Sequence, residues 1–132
     1  MFRPSAFHLL VMTAFAVTYS LCGSATSRAE GDIAAGEKVF QRCLTCHNVA
    51  NTINKMGPHL QGLIDRPIAS VEGFAYSDAM KAFGATGAHW DEATLDQFLK
   101  EPILFVKGTK MMSPPVRRDT ERADLIAYLK SH

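Results

Sequence analysis

The sequence predicts an all-α protein, and three observations lead to this fold class. Apolar side chains recur at helical spacing in three segments, residues that can cap a helix precede several segments, and none shows the strict alternation of a β-strand. The predicted helices cover residues 33–43, 77–83, 91–100 and 120–130. Loops that contain glycine and proline connect them.

The first two helices are predicted from their caps and their small residues. Asp32 is placed to cap the first helix, and Ser77 the second. Gly36 lies on the apolar face of the first helix, where its lack of a side chain lets another helix approach closely. Gly84 and Gly87 end the second helix. The rest of the first helix's apolar face is Ile33, Val39 and Phe40.

The third and last helices are predicted from their inward-facing stripes and their ends. The third begins at Asp91, and Pro102 stops it from continuing because proline interrupts helical hydrogen bonding. The last helix has Glu121 and Asp124 near its start and Lys130 at its end, which complements the helix dipole. The inward-facing residues of the two helices are Leu95, Phe98, Leu99, Leu125, Tyr128 and Leu129.

The first 29 residues resemble a secretory signal peptide. Arg3 precedes a mostly apolar, uncharged run, and small residues at positions 27 and 29 suit cleavage after Ala29. The sequence therefore predicts a signal peptide over 1–29, one domain over 30–132 and export from the cytoplasm. The alternative is an uncut N-terminal membrane anchor, although the run is short for a membrane span.

The charge of the mature chain is close to neutral. Once Arg3 and Arg28 are removed, 12 lysine and arginine residues remain against 13 aspartate and glutamate residues. Such a chain has no global positive field, so the composition gives no support for nucleic-acid binding.

The motif Cys43-Leu44-Thr45-Cys46-His47 predicts a covalently attached haem. In this pattern two cysteine sulfurs form thioether bonds to the porphyrin, and the histidine supplies an axial ligand to the iron. A zinc site would require further ligands, and the mature chain has no second cysteine pair. A redox dithiol would require a βαβ pattern, which is absent from the sequence.

The second axial position decides between electron transfer and ligand binding. A methionine sulfur there favours reduced iron, whereas a vacant position permits gas binding or catalysis. Met111 is the best candidate, because it ends a loop that starts at Lys107 and could fold over the haem. The other methionines of the mature chain are Met56, Met80 and Met112.

The chain resembles the class I c-type cytochromes, particularly mitochondrial cytochrome c and the soluble periplasmic cytochromes c of purple bacteria and other alphaproteobacteria. The resemblance extends over residues 31–131. It rests on the haem motif and on ordered segments at 36–40, 57–63, 73–79, 108–111 and 122–129, together with Arg66 and Trp90. It implies the cytochrome c fold, in which crossed N- and C-terminal helices, loops and short helices surround one covalent haem.

The resemblance also implies roles for individual residues. Met111 would be the distal iron ligand, and the Pro58 carbonyl would accept a hydrogen bond from His47. Tyr76 and Trp90 would donate to a buried haem propionate. The residues implied nearby are Arg66, which offsets the propionate charge, and Thr109 and Ser77 at the second propionate. The implied apolar pocket consists of Leu60, Leu63, Phe74, Leu95, Leu99 and Leu129.

Four features depart from the mitochondrial pattern. Phe98 replaces a tyrosine and Met80 an asparagine, both near the distal sulfur. Ser113-Pro114-Pro115 replaces an aromatic residue at the haem edge. The stretch 80–90 is also about three residues longer. These departures bear on the reduction potential and on the geometry of partner contact.

The resulting prediction is a monomeric periplasmic electron carrier that is not an enzyme. The family implies transient docking to membrane redox complexes: a cytochrome bc complex or dehydrogenase as donor, and a terminal oxidase, reductase or photosynthetic reaction centre as acceptor. The alternatives are a gas-binding haem sensor, a peroxidase-like enzyme and a redox subunit of one enzyme complex. The basic side chains predicted around the docking edge are Arg42, Lys55, Lys107, Lys110, Arg117 and Arg118.

Overall fold

The computed structural model describes residues 30–132, and the predicted signal segment 1–29 lies outside the described residues. The described part contains helices and loops, with one isolated β-bridge between Pro67 and His89. The helices are α1 (Ile33–Phe40), α2 (Asp78–Gly84), α3 (Glu92–Lys100), α4 (Pro102–Phe105) and α5 (Asp119–Lys130). The predicted all-α class is confirmed. None of the described helices is long and apolar enough to cross a membrane.

Helix α1 packs across α5, as predicted. A Cβ atom built on Gly36 would lie 2.0 Å from the Asp124 carbonyl oxygen, so glycine is required where the two backbones meet. The Phe40 and Tyr128 rings pack beside this point with their centroids 5.3 Å apart. The side chains of Phe40 and Leu125 are among the most deeply buried.

The predicted caps begin the helices where expected. The side-chain oxygens of Asp32, Ser77 and Asp91 accept hydrogen bonds from amides three residues ahead, at the starts of α1, α2 and α3 respectively. The first helix is shorter than predicted and ends at Phe40. The Cys43 amide donates to the Phe40 carbonyl three residues back, so the chain tightens into turns there.

Pro102 has a different role from the predicted one. The third helix does end just before it, but Pro102 itself begins the short helix α4, which the sequence prediction missed. Proline is compatible with the first helical position because the amide it lacks would have no intrahelical partner there. Glu101 adopts φ −154° and ψ 76°, which separates the two helices.

Candidate functional site

One cavity of about 400 Å³ lies between the helices and the loops. It gathers side chains that are far apart in sequence, and every site residue predicted from the sequence lines it. Those residues are Cys43, Cys46, His47, Pro58, Arg66, Tyr76, Trp90, Thr109 and Met111. The residues of the predicted apolar wall line the same cavity, namely Leu60, Leu63, Phe74, Leu95, Leu99 and Leu129.

The loop that contains Gly57 and Pro58 fixes the orientation of the His47 ring. Its Nδ1 lies 2.8 Å from the Pro58 carbonyl oxygen, which can only accept, so Nδ1 donates and Nε2 is left with its lone pair. The two segments are also joined through their backbones, since the Gly57 amide donates to the Cys46 carbonyl at 2.8 Å. This is the predicted hydrogen bond, and it orients an imidazole that could bind a metal through Nε2.

Gly57 is a residue whose importance the sequence analysis missed. A Cβ atom at this position would lie 2.3 Å from Cε1 of His47. Only glycine lets the loop come this close to the ring. The signal was present in the Gly57-Pro58 pair, but that pair indicates a loop without saying what the loop packs against.

The surroundings of His47 favour its neutral imidazole form. Burial lowers the pKa of His47, and nearby Lys55 lowers it further, while the hydrogen bond to Pro58 acts in the opposite direction. Metal ligation by histidine requires the neutral ring. Burial raises the pKa of the Cys43 thiol, against the opposing effect of Arg42. Neither Cys43 nor Cys46 forms a disulfide bond, so both sulfurs are available for thioethers.

The methionines that line the cavity differ in exposure. Met56 and Met112 are 80% and 79% exposed, whereas Met80 is buried in α2 and Met111 is partly buried. The Thr109 hydroxyl accepts from the Met111 amide at 3.2 Å, which shapes the turn that carries Met111. Gly108 supports this turn with φ +97°. Met111 is therefore the methionine that combines a loop position with partial shielding from solvent.

The predicted polar residues Arg66, Tyr76 and Trp90 are held by hydrogen bonds that involve backbone groups. The Trp90 amide donates to the Arg66 carbonyl at 2.9 Å. The Arg66 guanidinium donates to the His59 carbonyl at 2.9 Å, and burial lowers its pKa. Burial raises the pKa of Tyr76, whose hydroxyl accepts from the Val71 amide at 3.3 Å. A cationic group beside two ring donors is suited to a carboxylate at this end of the cavity.

Several members of the predicted basic ring already have partners. Arg42 forms a 2.9 Å ion pair with Glu121, which also lies 3.6 Å from Arg118. Nζ of Lys55 donates to the Leu44 carbonyl at 2.7 Å, and Nζ of Lys110 lies 3.4 Å from the Ala75 carbonyl. Arg42 and Lys110 line the cavity. The positive charge at the rim is thus partly compensated by Glu121.

The residues that line the cavity suit a covalently bound haem. Its walls are mostly apolar, two thiols lie beside an oriented imidazole, and a thioether lines the same space. The cation at Arg66 suits a propionate. An apolar cavity with a few convergent polar groups is the usual form of a cofactor site.

His59 predicts a pH dependence of stability. Its Nδ1 is buried with no hydrogen-bond partner among the described residues, and burial together with Arg66 lowers its pKa below 6.5. The unfolded chain therefore takes up this proton before the folded protein does, so stability is kept above about pH 6.5 and falls as the pH drops below it.

In His59→Asn, we expect the free energy of unfolding to fall less steeply below pH 6.5 than in the wild type. Denaturant unfolding of the haem-loaded protein at a series of pH values measures this slope. His89→Asn, at an exposed position, is the control. Equal slopes in His59→Asn and the wild type would contradict the assignment to His59.

Comparisons with known proteins agree with this geometry. The sequence model described as cytochrome c matches residues 33–132. The chain is 45% identical over 122 residues to cytochrome c-554 of Methylosinus trichosporium, covering 92% of this chain and 86% of that protein. It is 41% identical over 113 residues to cytochrome c2 of Blastochloris viridis, covering 85% and 87%.

A solved structure shows the same similarity in three dimensions. Cytochrome cH from Methylobacterium extorquens superposes with a TM-score of 0.70 at 42% identity. The match covers 77% of this chain and 100% of that chain. The sequence match over residues 33–132 contains all the residues that line the cavity.

Proposed function

Since the chain belongs to the cytochrome c family, we propose that it is a periplasmic single-electron carrier in which His47 and Met111 are the axial ligands of the haem iron. Members of this family are electron carriers that hold haem c covalently through cysteines. Cys43 and Cys46 occupy those positions, with His47 next to them.

One observation supports the proposal most strongly: Cys43, Cys46, His47 and Met111 line a single cavity. Nitrogen and thioether sulfur ligands together favour a high reduction potential. When bound, the haem supplies an iron that gains and loses one electron. The protein contributes the ligands and a mostly apolar wall that keeps water away.

Rigid placement of His47 supports fast electron transfer. The His47 ring is held by the Pro58 carbonyl at 2.8 Å and is packed against Gly57. A ring held in this way keeps its place when the charge on the iron changes, so little reorganisation accompanies electron transfer. Arg66, Tyr76, Trp90 and Thr109 would bind the propionates, which a mostly apolar cavity could not otherwise accommodate.

The proposed partners are membrane redox complexes that dock transiently at the cavity rim. Donors would be a cytochrome bc complex or a dehydrogenase, and acceptors a terminal oxidase, reductase or reaction centre. Lys110 at the rim would steer acidic partners, and docking would bury only a small interface. We also propose that the protein is exported, acts as a monomer and performs no catalysis, since the described residues that line the cavity offer no acid–base or nucleophilic pair apart from those assigned to the haem.

A gas-binding function is the second candidate, and one observation favours it. The Thr109 amide donates to the Val106 carbonyl, and the Val116 amide donates to the Leu99 carbonyl. In the described chain, no backbone–backbone hydrogen bond holds the loop between these two amides. A loosely held Met111 would leave the iron and open a site for an external ligand.

Stopped-flow oxidation of the reduced, haem-loaded protein by membranes that contain a terminal oxidase tests the carrier function. We expect each protein to lose one electron, at a rate that falls modestly as salt screens the rim charges. Lys110→Ala should slow the reaction, whereas Lys38→Ala, on α1 and outside the cavity lining, should not. Absence of oxidation, together with carbon monoxide binding by the reduced protein, would favour the second candidate.

A further inference from the structure

A buried arginine on α5 connects three parts of the fold. Arg122 is 2% exposed, and its Nε donates to Oδ1 of Asp96 on α3 at 2.9 Å. Its Nη1 donates to the Val116 carbonyl at 2.9 Å and to the Arg117 carbonyl at 2.8 Å. Its Nη2 donates to the Asp119 carboxylate. Most of the hydrogen-bonding capacity of the guanidinium is therefore used inside the protein.

Two of these bonds hold the end of the segment that carries Met111. This distal loop (residues 107–118) runs from the end of α4 to the start of α5. Val116 is buried, and its amide donates to the Leu99 carbonyl at 2.9 Å. The nearest backbone hydrogen bond on the other side of Met111 runs from the Thr109 amide to the Val106 carbonyl at 3.0 Å. Met111 therefore lies between these two backbone hydrogen bonds. Arg122 supports the one made by Val116 through its own bonds to the Val116 and Arg117 carbonyls.

The position of the buried Arg122 guanidinium depends on the carboxylates of Asp96 and Asp119. Burial alone would lower the pKa of Arg122, but Asp96 and Asp119 more than compensate and raise it. Their positions differ, because the side chain of Asp96 is 11% exposed and that of Asp119 is 84% exposed. A buried charge–charge hydrogen bond is strong, whereas an exposed ion pair contributes little. Asp96 is therefore the partner that holds the guanidinium against the loop carbonyls.

We propose that Arg122, held by Asp96, is a positioning residue that fixes the end of the distal loop and so determines how firmly Met111 stays on the iron. The inference rests on the proposed ligation by Met111 and extends it. Loosening Arg122 releases the Val116 and Arg117 carbonyls, lets the loop move and exposes the iron to external ligands. The folded core need not open for this to happen.

Competition by an external ligand measures this coupling directly. The ferric, haem-loaded protein is titrated with imidazole, and the weak near-infrared absorption of the sulfur–iron bond is recorded alongside. In Asp96→Asn and in Arg122→Lys we expect imidazole to bind about tenfold more tightly than in the wild type, equivalent to about 1.4 kcal/mol in favour of the open site. Asparagine retains an acceptor but loses the charge, so Asp96→Asn remains informative if Arg122→Lys does not fold.

Two control variants separate positioning from general stability. Asp119→Asn removes the exposed carboxylate, and its imidazole affinity should stay within about twofold of the wild type. Ile126→Ala opens a cavity at a buried α5 residue outside the haem cavity lining, so it should lower the free energy of unfolding without changing imidazole affinity. Denaturant unfolding of every variant provides the comparison.

The outcomes distinguish this inference from the proposed function. If Asp96→Asn loses stability but keeps the wild-type imidazole affinity and near-infrared band, Arg122 is structural only and the inference is wrong while Met111 ligation stands. If the wild type itself lacks the sulfur–iron band, the proposed ligation fails and the inference fails with it. Tighter imidazole binding in Asp96→Asn but not in Ile126→Ala supports the inference.

Discussion

Replacing Gly36 with valine is expected to separate α1 from α5 and to lower the free energy of unfolding by about 3 kcal/mol or more. A Cβ at this position would lie 2.0 Å from the Asp124 carbonyl oxygen and 2.7 Å from the Tyr128 Cβ. Neither neighbour is the flexible end of a side chain, so the helices themselves must move. Denaturant unfolding of the haem-loaded protein, followed by circular dichroism, measures the loss.

Ala34→Val is the matched control for this substitution. Ala34 lies on the same helix and is exposed, so valine there should cost only about 0.5 kcal/mol through its lower helix propensity. If Gly36→Val were no less stable than Ala34→Val, the close crossing of α1 and α5 would be wrong.

Replacing Gly57 with alanine is expected to displace the His47 ring and to cost about 3 kcal/mol of stability. The new Cβ would lie 2.3 Å from Cε1 of a ring that is also held by the Pro58 carbonyl. Relief of this overlap breaks or lengthens the hydrogen bond to Pro58, which makes the imidazole a poorer electron donor. The reduction potential should therefore become more positive, as measured by redox titration beside denaturant unfolding.

Gly62→Ala separates this contact effect from simple backbone strain. Gly62 has φ +64°, and among residues 30–132 no neighbouring atom lies within 4 Å of the place a Cβ would take. Alanine there costs only the strain of a left-handed conformation, about 1–2 kcal/mol. The reduction potential of Gly62→Ala should match that of the wild type. An unchanged potential in Gly57→Ala as well would show that the loop does not control the ring.

Local sequence signals predicted the helices and the covalently bound haem well. Asp32, Ser77 and Asp91 begin helices where capping chemistry places them, because a cap depends on residues only three positions apart. The predicted stop at Pro102 was half right, since proline ends one helix and is equally suited to begin the next. The resemblance to a known family indicated the cavity-lining residues, which periodicity alone could not bring together.

Features that depend on distant partners were missed. Arg122 and Asp96 are 26 positions apart, and each taken alone resembles an ordinary surface charge. Their burial follows from the packing of α3 on α5, which no local pattern encodes. The contact of Gly57 with His47 has the same origin, as does the pairing of Arg42 with Glu121 at the rim.

We propose that Met111 completes a six-coordinate iron with His47. The most direct measurement is the visible and near-infrared spectrum of the exported, haem-loaded protein in both oxidation states, for the wild type and for Met111→Ala. We expect a sulfur–iron band in the ferric wild type that disappears in Met111→Ala, where the reduced iron binds carbon monoxide. A ferric wild type without that band, with a high-spin spectrum and carbon monoxide binding after reduction, would contradict this proposal.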